Sequence, residues 1–568
     1  MVRACARVLL FTASAHAGLS HAVVAQSTTS LLTDAATLPR GAVRLRATSS
    51  WARYDALFGA PGVPSGTLRN LAWALNTDSL GAAQIPLLAG GEAAIRALTG
   101  ESSFRLSAGQ MLAAANSRIV ETPLIFEYGV ASRLTLGVVV PLVQSRTTLE
   151  ARLNSRGTCP PAKLGTPCPA GVQQASMANV GPNPALTSSA ALTNDSALVA
   201  QFRAAASALQ GQLTQCQADP LQAGCATLLA RQGDAQALIQ SSNAFASALA
   251  TLYGSSSQSR GQPFVPLAAG AEQTTVNQRV ADFNARYRDY FGNDRITGAV
   301  VAAGGLAALR QLQALLTDSA LARDTIGPTD RTGIGDVSVG ATLQIANNFG
   351  DTSTAALGRL RYRLAVNGTF RIGTGETPAP GRLYDVGTGT GQNGVIAGVA
   401  ADVQGGRWLA LTAIGSYTAQ LGTVPVGARP APLGDVFPLL APRKGTYTAG
   451  NVLSLAAVPR LRVTRYFTLD GVYVLQRQAA AAFTPAQVAA AASDSALALL
   501  TGAAPYTATT AHQVGAGFSY STVAAPDRAP GGLPAEVSFR HVETISGSGG
   551  PVPKVYQDRI EVKLFYQP

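Results

Sequence analysis

Arginine side chains recur at alternate positions of one apolar segment, residues 359–372. The arginines are Arg359, Arg361, Arg363 and Arg371. Large apolar residues such as Leu360 and Phe370 occupy the alternate positions between them. Because the side chains of a β-strand point alternately to its two faces, this segment predicts a strand with one apolar and one basic face. If the apolar face meets lipid, the guanidinium groups line a water-filled lumen, where they would attract anions.

Carboxylate side chains lie on the polar faces of other alternating segments. They belong to Glu127, Asp336 and Asp470. In one shared lumen, these residues and the arginines allow two interpretations. Either the arginines form a basic ladder along a pore, or arginines and carboxylates pair across a narrow lumen and fill it. The sequence leaves both open.

Residues of the kinds used in catalysis are sparse. Two of the four histidines, His512 and His541, lie in alternating segments, and no serine nucleophile motif accompanies them. The run Gly389–Gly394 has the glycine spacing of a dinucleotide site, but it lacks the preceding βαβ strand and the following helix, so a loop is the better interpretation. The sequence therefore predicts no catalytic, cofactor-binding or metal site, and a membrane-embedded hydrolase ranks last among the functions considered.

The composition narrows the class of protein. Of the 568 residues, 13% are charged and 47% are hydrophobic, with 58 glycines and a formal net charge of +12. Soluble globular proteins average about 25% charged residues, so a soluble enzyme with a charged surface is disfavoured. The longest apolar run after the N-terminal region, Ile296–Leu309, is shorter than the roughly 18 residues that a membrane-spanning helix needs.

Period-two alternation recurs along the chain and predicts about twelve strands. Their expected spans are 41–54, 117–130, 134–149, 333–346, 359–373, 393–404, 407–421, 446–461, 465–477, 510–521, 535–545 and 557–567. A strand needs about 9–11 residues to cross a bilayer, and an unpaired sheet edge is not tolerated in lipid. The fold class expected is therefore an all-β, antiparallel transmembrane barrel.

The connections alternate in length. Ala131–Arg133, Gly405–Gly406 and Val463–Thr464 are short, whereas 55–116, 150–332, 374–392, 422–445, 478–509 and 546–556 are long. Outer-membrane barrels have short periplasmic turns and long extracellular loops, and an even strand count places both termini at the periplasmic end. Two connections of about twelve residues, 347–358 and 522–534, fit that end less well.

Four regions follow from these patterns. Residues 1–25 have the features of an export signal, with Arg3 and Arg7 beside a short apolar stretch. Residues 26–149 would hold barrel strands one to three with a long first loop, 150–332 a helical insertion, and 333–568 strands four to twelve. We expect export to the outer membrane, assembly by the barrel-assembly machinery and contact with outer-membrane lipid.

The insertion carries apolar residues at helical spacing, for example Val276, Val280, Phe283 and Tyr287. One of its helices is expected to begin after a cap at Asn194 or Asp195, and a smaller helix is expected later, over 486–500 after Thr484. Such helices would pack on one another as an extracellular cap, which either stands above the barrel or folds into it.

Cysteines in and near this insertion form two local pairs, Cys159 with Cys168 and Cys216 with Cys225. In an oxidising compartment these pairs predict two loop-closing disulfides. Crossed pairing and free thiols are the alternatives, and metal binding is disfavoured by the spacing.

Two segments carry a family resemblance. Glu127–Leu142 and Gly333–Gly340 resemble the strand-turn-strand and glycine-rich strand motifs of outer-membrane transporters linked to meta-pathway phenol degradation. The resemblance implies a barrel that passes small, often hydrophobic compounds. Its motifs build the barrel, so no functional residue is carried over. The helical insertion and the C-terminal Gln567–Pro568 depart from the family pattern.

The sequence thus favours a channel or transporter, not an enzyme. We expect passive diffusion of small hydrophobic or anionic solutes through a partly basic lumen under an extracellular helical cap. The alternative is a barrel that anchors a surface binding or adhesion domain without transport. No cofactor is expected, and no nucleic-acid partner, because no run of Lys and Arg with interleaved aromatic residues occurs.

Overall fold

The computed structural model describes residues 31–59, 67–156, 177–317, 327–349, 360–379, 384–428, 443–485, 508–523 and 534–567. The predicted export signal, the Cys159–Cys168 pair, Arg359 and the helix expected over 486–500 lie outside the described residues. Thr484, expected to precede that helix, lies in a short strand, Ala482–Pro485.

Long strands build the wall of the molecule. They are β1 (Val43–Tyr54), β2 (Gln110–Ala131), β3 (Leu134–Asn154), β4 (Thr329–Ile334 continued by Val337–Asn347), β5 (Arg361–Ile372), β6 (Asn393–Gly405), β7 (Leu409–Leu421), β8 (Val452–Arg462), β9 (Phe467–Gln478), β10 (Thr509–Ser521), β11 (Ala535–Ser548) and β12 (Tyr556–Tyr566). The long connections contain additional short strands, which pair in twos and threes. They are Ala56–Phe58, Leu68–Asn70, Val180–Pro182, Phe264–Pro266, Val424–Ala428, Arg443–Thr448, Ala482–Pro485 and Val552–Pro553.

The wall closes on itself within the described residues. Its sheet has 13 hydrogen-bonded segments, two of which are the consecutive pieces of β4, so the strands number twelve. Every strand pairs antiparallel with its neighbour in sequence, and β1 pairs with both β2 and β12: Leu45 lies opposite Phe126 on one side and Leu564 on the other. The predicted antiparallel barrel is therefore confirmed.

Two strands are longer than predicted. The second strand begins at Gln110 and not at 117, and the third ends at Asn154 and not at 149. Their outward side chains change from apolar near the hairpin turn, as at Leu142, to polar in the extensions, as at Glu150 and Arg152. The extensions therefore project beyond the lipid. Their outward positions are not apolar there, so the alternation of apolar and polar residues does not reveal them.

Large apolar side chains cover the outside of the barrel. Leu124, Phe126, Leu136, Val138, Leu343, Val366 and Phe370 are among those exposed. A soluble monomer rarely shows a continuous apolar surface of this extent, whereas a barrel in lipid requires one. The inward positions between them carry small or polar residues such as Gly137, Thr342 and Asn367.

The short connections gather at one end and the long ones at the other. At the short end, the β6–β7 turn contains Gly406 with φ +65°, a conformation that glycine adopts without strain. The helices belong to the long-connection end: α1 (Ala89–Thr99), α2 (Ser189–Ala218), α3 (Cys225–Ala230), α4 (Gln232–Tyr253), α5 (Ala271–Phe291) and α6 (Leu309–Thr317). Among the described residues, no helix has the length and apolar character needed to cross a membrane.

These helices share one apolar core with the extended strands, and we call them the helical domain. The Phe202, Phe245 and Phe283 rings meet at its centre, with centroids 5.1 to 5.4 Å apart. The same core includes the buried, inward-facing Ile119 of β2 and Val143 of β3. The helical domain therefore packs against the inner face of the barrel wall at the long-connection end.

The predicted helix start at Asn194 or Asp195 is wrong. Helix α2 begins after Ser188, whose backbone is extended and whose hydroxyl accepts a hydrogen bond from the Ala191 amide at 3.2 Å. Serine satisfies the free amides of the first turn as well as aspartate does. Asp195 instead lies inside the helix, fully buried, and accepts a bond from the Val301 amide at 2.8 Å.

One of the predicted disulfides lies in the described part of the chain. Cys216 near the end of α2 is bonded to Cys225 at the start of α3. It closes the tight turn that reverses the chain between α2 and α4, so it stabilises the helical domain locally.

Candidate functional site

Buried charges of opposite sign line one side of the lumen. Glu127 accepts two hydrogen bonds from Arg44, at 2.5 Å from Nε and 2.7 Å from Nη2. Arg46 donates from Nε to Glu561 at 2.9 Å, and its Nη1 lies 3.8 Å from Glu127. Strands β1, β2 and β12 bring these groups together, because all of them occupy inward positions of neighbouring strands. The result is a network in which each carboxylate faces arginine.

The adjoining part of the wall, from β12 to β9, repeats this arrangement. Arg540 of β11 donates to Asp470 of β9 from Nε at 2.9 Å and from Nη2 at 2.7 Å. Lys563 lies 2.8 Å from Glu536. The lumen thus contains alternating positive and negative groups at close range, which cancel much of one another's field.

The predicted arginines of β5 also face inward. Arg363 lies 3.2 Å from Asp402, and the Nε of Arg371 lies 3.9 Å from Asp336. Arg361 is half-buried opposite Gln404 near the short-turn end. The structure therefore brings Arg371 together with Asp336, whereas Glu127 meets Arg44 and Asp470 meets Arg540 on other strands of the wall.

Asp336 interrupts β4 between its two pieces. Its carboxylate accepts bonds from the Gly375 amide at 3.0 Å, the Thr390 amide at 2.9 Å and the Thr390 hydroxyl at 2.7 Å. These contacts hold the β5–β6 connection against the inside of the wall, where Thr388 and Gln392 are buried. The glycine run at 389–394 is thus a packed inner loop that includes the start of β6.

An N-terminal segment, residues 31–42, enters the lumen from the short-turn end, and we call it the plug. Leu31 and Leu32 are buried in the barrel, and Asp34 lies among the positive charges of Lys563, Arg44 and Arg460. Polar contacts fix its backbone. The Ala35 backbone amide donates to Asp402 at 3.1 Å, and the Leu38 backbone amide donates to the Thr135 hydroxyl at 2.8 Å. The side-chain Nε2 of Gln344 donates to the Ala35 carbonyl at 2.9 Å.

Inward-facing glycines make room for the plug. A Cβ atom at Gly137 would come within 2.6 Å of Leu31 Cδ2, and one at Gly398 within 2.8 Å of Leu32 Cδ2. The plug cannot be predicted from periodicity, because this segment has neither strand nor helix spacing. The available signal is the small residues at inward strand positions, which leave space in the lumen.

A cavity of about 1050 Å³ lies beside the plug. It extends from Trp408 and Tyr466 at the short-turn end to Gln476 and Gln513, deep in the barrel. Its lining mixes aliphatic side chains with the paired charges, among them Ile414, Val458, Val472, Arg540, Asp470 and Lys563. Such a chamber suits a small molecule with both apolar and polar surface.

The two histidines lie on the outer wall, away from this cavity. The Nδ1 of His512 is 2.8 Å from the Tyr473 hydroxyl, and that of His541 is 2.7 Å from Asp558. His541 and Asp558 are both about half exposed. In the described ranges, no group of three or more His, Cys, Asp or Glu side chains is arranged to hold a metal ion.

Fold and site together define a transmembrane β-barrel with a plugged, charge-paired lumen. No family model and no curated protein sequence matches the chain. Among solved structures, an outer membrane channel of Pseudomonas putida F1 is similar at 9% identity and a TM-score of 0.38, over 95% of this chain and 100% of that one.

Two further solved structures are similar. A Pseudomonas aeruginosa FadL homologue has 9% identity and a TM-score of 0.25, covering 93% of this chain and 90% of its own. The Pseudomonas putida toluene transporter TodX has 11% identity and a TM-score of 0.21, covering 98% and 94%. Superpositions this loose add nothing to the barrel that the strand pairing already defines.

Proposed function

We propose that the protein is an outer-membrane channel for small, largely apolar solutes. The observation that carries this proposal is the 1050 Å³ cavity inside a lipid-facing barrel, which is bordered by a non-covalently held plug. A barrel that only anchors another domain does not require a cavity of this size in its lumen. The resemblance of Glu127–Leu142 and Gly333–Gly340 to transporters of small, often hydrophobic compounds supports the same class of solute.

The pairing of lumen charges supports passage without strong selection by charge. Arg363, Arg371 and Arg540 each lie within 4 Å of a carboxylate. This favours the interpretation in which arginines and carboxylates pair over the one with a basic ladder. The proposal therefore predicts a reversal potential near zero across a KCl gradient. A strong anion preference would instead support the ladder.

In this proposal the plug closes the channel from the short-turn, periplasmic end, and the helical domain covers the other end. The plug is held by a few hydrogen bonds and by the contacts of Leu31 and Leu32, so a modest free energy separates its bound and released positions. Solute would pass when the plug moves, without unfolding of the wall.

Single-channel recording in planar bilayers tests the proposal. The variant Leu31→Ala/Leu32→Ala removes the apolar contacts of the plug, and Gly137→Val fills the space that Leu31 occupies. Both should raise the open probability at least tenfold over the parent chain. Leu221→Ala, at a 96% exposed position of the helical domain, is the matched control and should leave the open probability unchanged.

The second candidate is a sealed barrel that displays the helical domain. The observation in its favour is the continuous apolar core shared by that domain and the wall, which holds the domain rigidly at the surface. Folded plug variants that carry no current and admit no small aromatic solute into proteoliposomes would favour this anchor over the channel.

A further inference from the structure

Three arginines form a row on the outside of the barrel. Arg53 of β1 is the register partner of Arg118 of β2, and Arg118 is the partner of Arg146 of β3. All three are exposed on the outward face. Directly opposite residues on antiparallel strands lie about 4.5–5.5 Å apart, and like charges at such positions destabilise the sheet. A row of three therefore needs a source of negative charge.

The described residues place little of that charge directly opposite the row. Asp330 is the register partner of Arg146 at one end of the row. At the other end, the guanidinium group of Arg53 lies 5.7 Å from the centroid of the Tyr556 ring, over which Lys554 also lies. Lys554 is 3.5 Å from Glu543. Among the described carboxylates, Asp330 is the one directly opposite an arginine of the row, and the central Arg118 has arginine on both sides. Asp558, two residues along β12 from Tyr556, lies 2.7 Å from His541.

The height of the row on the barrel matches a lipid headgroup layer. From Tyr128, at the short-turn edge of the apolar belt, to Arg118 is ten residues along β2, or about 33 Å of strand. With the usual tilt of 35–45°, this corresponds to roughly 25 Å along the membrane normal, the height of the apolar band of such barrels. Trp51, Val120 and Gln144 form the row immediately below, so the arginines begin where the apolar belt ends.

We propose that Arg53, Arg118 and Arg146 bind the phosphate groups of an anionic lipid in the leaflet at the long-connection end. Guanidinium groups donate paired hydrogen bonds to phosphate, and three adjacent ones span two inter-strand gaps of about 4.8 Å each. In the outer membrane the matching headgroup is that of lipid A, which carries two phosphates. Its acyl chains would lie against Leu124, Leu142 and Val120 below the row. This site does not depend on whether the lumen conducts.

Native mass spectrometry of the full chain in neutral detergent, titrated with purified lipid A, tests the site. Arg53→Gln/Arg118→Gln/Arg146→Gln should lower lipid A affinity at least tenfold. The matched control is Arg133→Gln/Arg407→Gln/Arg465→Gln, which removes the same charge from exposed positions at the short-turn end. It should bind as the parent does. Equal binding by both triple variants would overturn the proposal.

Two further measurements separate the lipid site from its alternatives. Inorganic phosphate at ten millimolar should leave the affinity for lipid A within twofold of its value without phosphate. Full displacement of lipid A would indicate a general anion site and not a lipid site.

The second measurement is the unfolding temperature without lipid A. The first triple variant should unfold at the same or a higher temperature than the parent, because repulsion in the row is relieved. A lower unfolding temperature would make the row structural and contradict the proposal. Should the triple variant fail to fold, Arg118→Gln alone should weaken binding about threefold and Arg118→Lys should retain most of it.

Discussion

The barrel wall and the helical domain place the same kinds of residue on opposite sides. Phe126 of the wall is 51% exposed, whereas Phe202 of the helical domain is fully buried. In the wall, charges such as Glu127 and Arg44 point to the centre and pair there, whereas most charged side chains of the helices are exposed. Both regions remove apolar surface from water, but they do so in different surroundings. The helices bury their apolar side chains in a protein core, whereas the wall exposes its apolar side chains to the hydrocarbon of the membrane.

The largest expected effect lies in the helical core. Phe202→Ala removes a ring that contacts Phe245 and Phe283, and should lower the free energy of unfolding of the helical domain by about 3–5 kcal/mol. Urea unfolding followed by the helical circular dichroism signal at 222 nm measures it. Phe126→Ala on the outer wall is the control and should leave that helical transition in place. A shift of equal size in both variants would mean that the two regions unfold as one unit.

A charge on the lipid face comes next. Phe126→Lys should cost about 2–4 kcal/mol of folding free energy in lipid vesicles, since the position lies within the apolar belt. Leu221→Lys, at a position that is 96% exposed to water, should change stability by less than about 0.5 kcal/mol. Similar costs for the two substitutions would contradict the assignment of different solvents to the two surfaces.

The lumen pairs should give smaller losses, because the cavity beside them admits water. Arg540→Gln leaves Asp470 without its two hydrogen bonds and should cost about 1–3 kcal/mol. Asp470→Asn on the same background should recover part of this loss. A double-mutant cycle measured by vesicle folding gives the coupling energy, and additive effects would show that the pair is not coupled.

The wall was predictable from sequence because lipid imposes a period of two over whole strands. Leu360, Tyr362 and Phe370 point outward for that reason alone, and the arginines between them had to point inward. The plug was not predictable in this way, since the segment around Leu31 and Asp34 is fixed by space beside Gly137 and Gly398 from distant strands. The ion pairs cannot be predicted for a similar reason: alternation defines a face, but register decides that Arg363 meets Asp402.

The smallest effect concerns Asp195, the buried acid of the helical domain. Burial raises the pKa of its carboxyl to about 6, partly offset by the hydrogen bond from the Val301 amide. The ordinary pKa in the unfolded chain is 3.8. Because the folded state prefers the protonated form, its stabilising contribution is complete below pH 3.8 and is lost as the pH rises through 6. The helical domain should therefore be more stable at pH 5 than at pH 8, by about 1 kcal/mol after allowance for screening by solvent.

Asp195→Asn sharpens this test, because asparagine keeps an acceptor for the Val301 amide but has no charge to bury. Urea unfolding at 222 nm should show a midpoint that falls between pH 5 and pH 8 in the parent and stays nearly level in the variant. The variant should also be the more stable of the two at pH 8. A parent midpoint that rises with pH over this range would mean that the carboxylate is stabilised in the folded domain. The interior of the helical domain would then tolerate unpaired charge much as the wet lumen does, and the contrast between the two regions would be lost at this position.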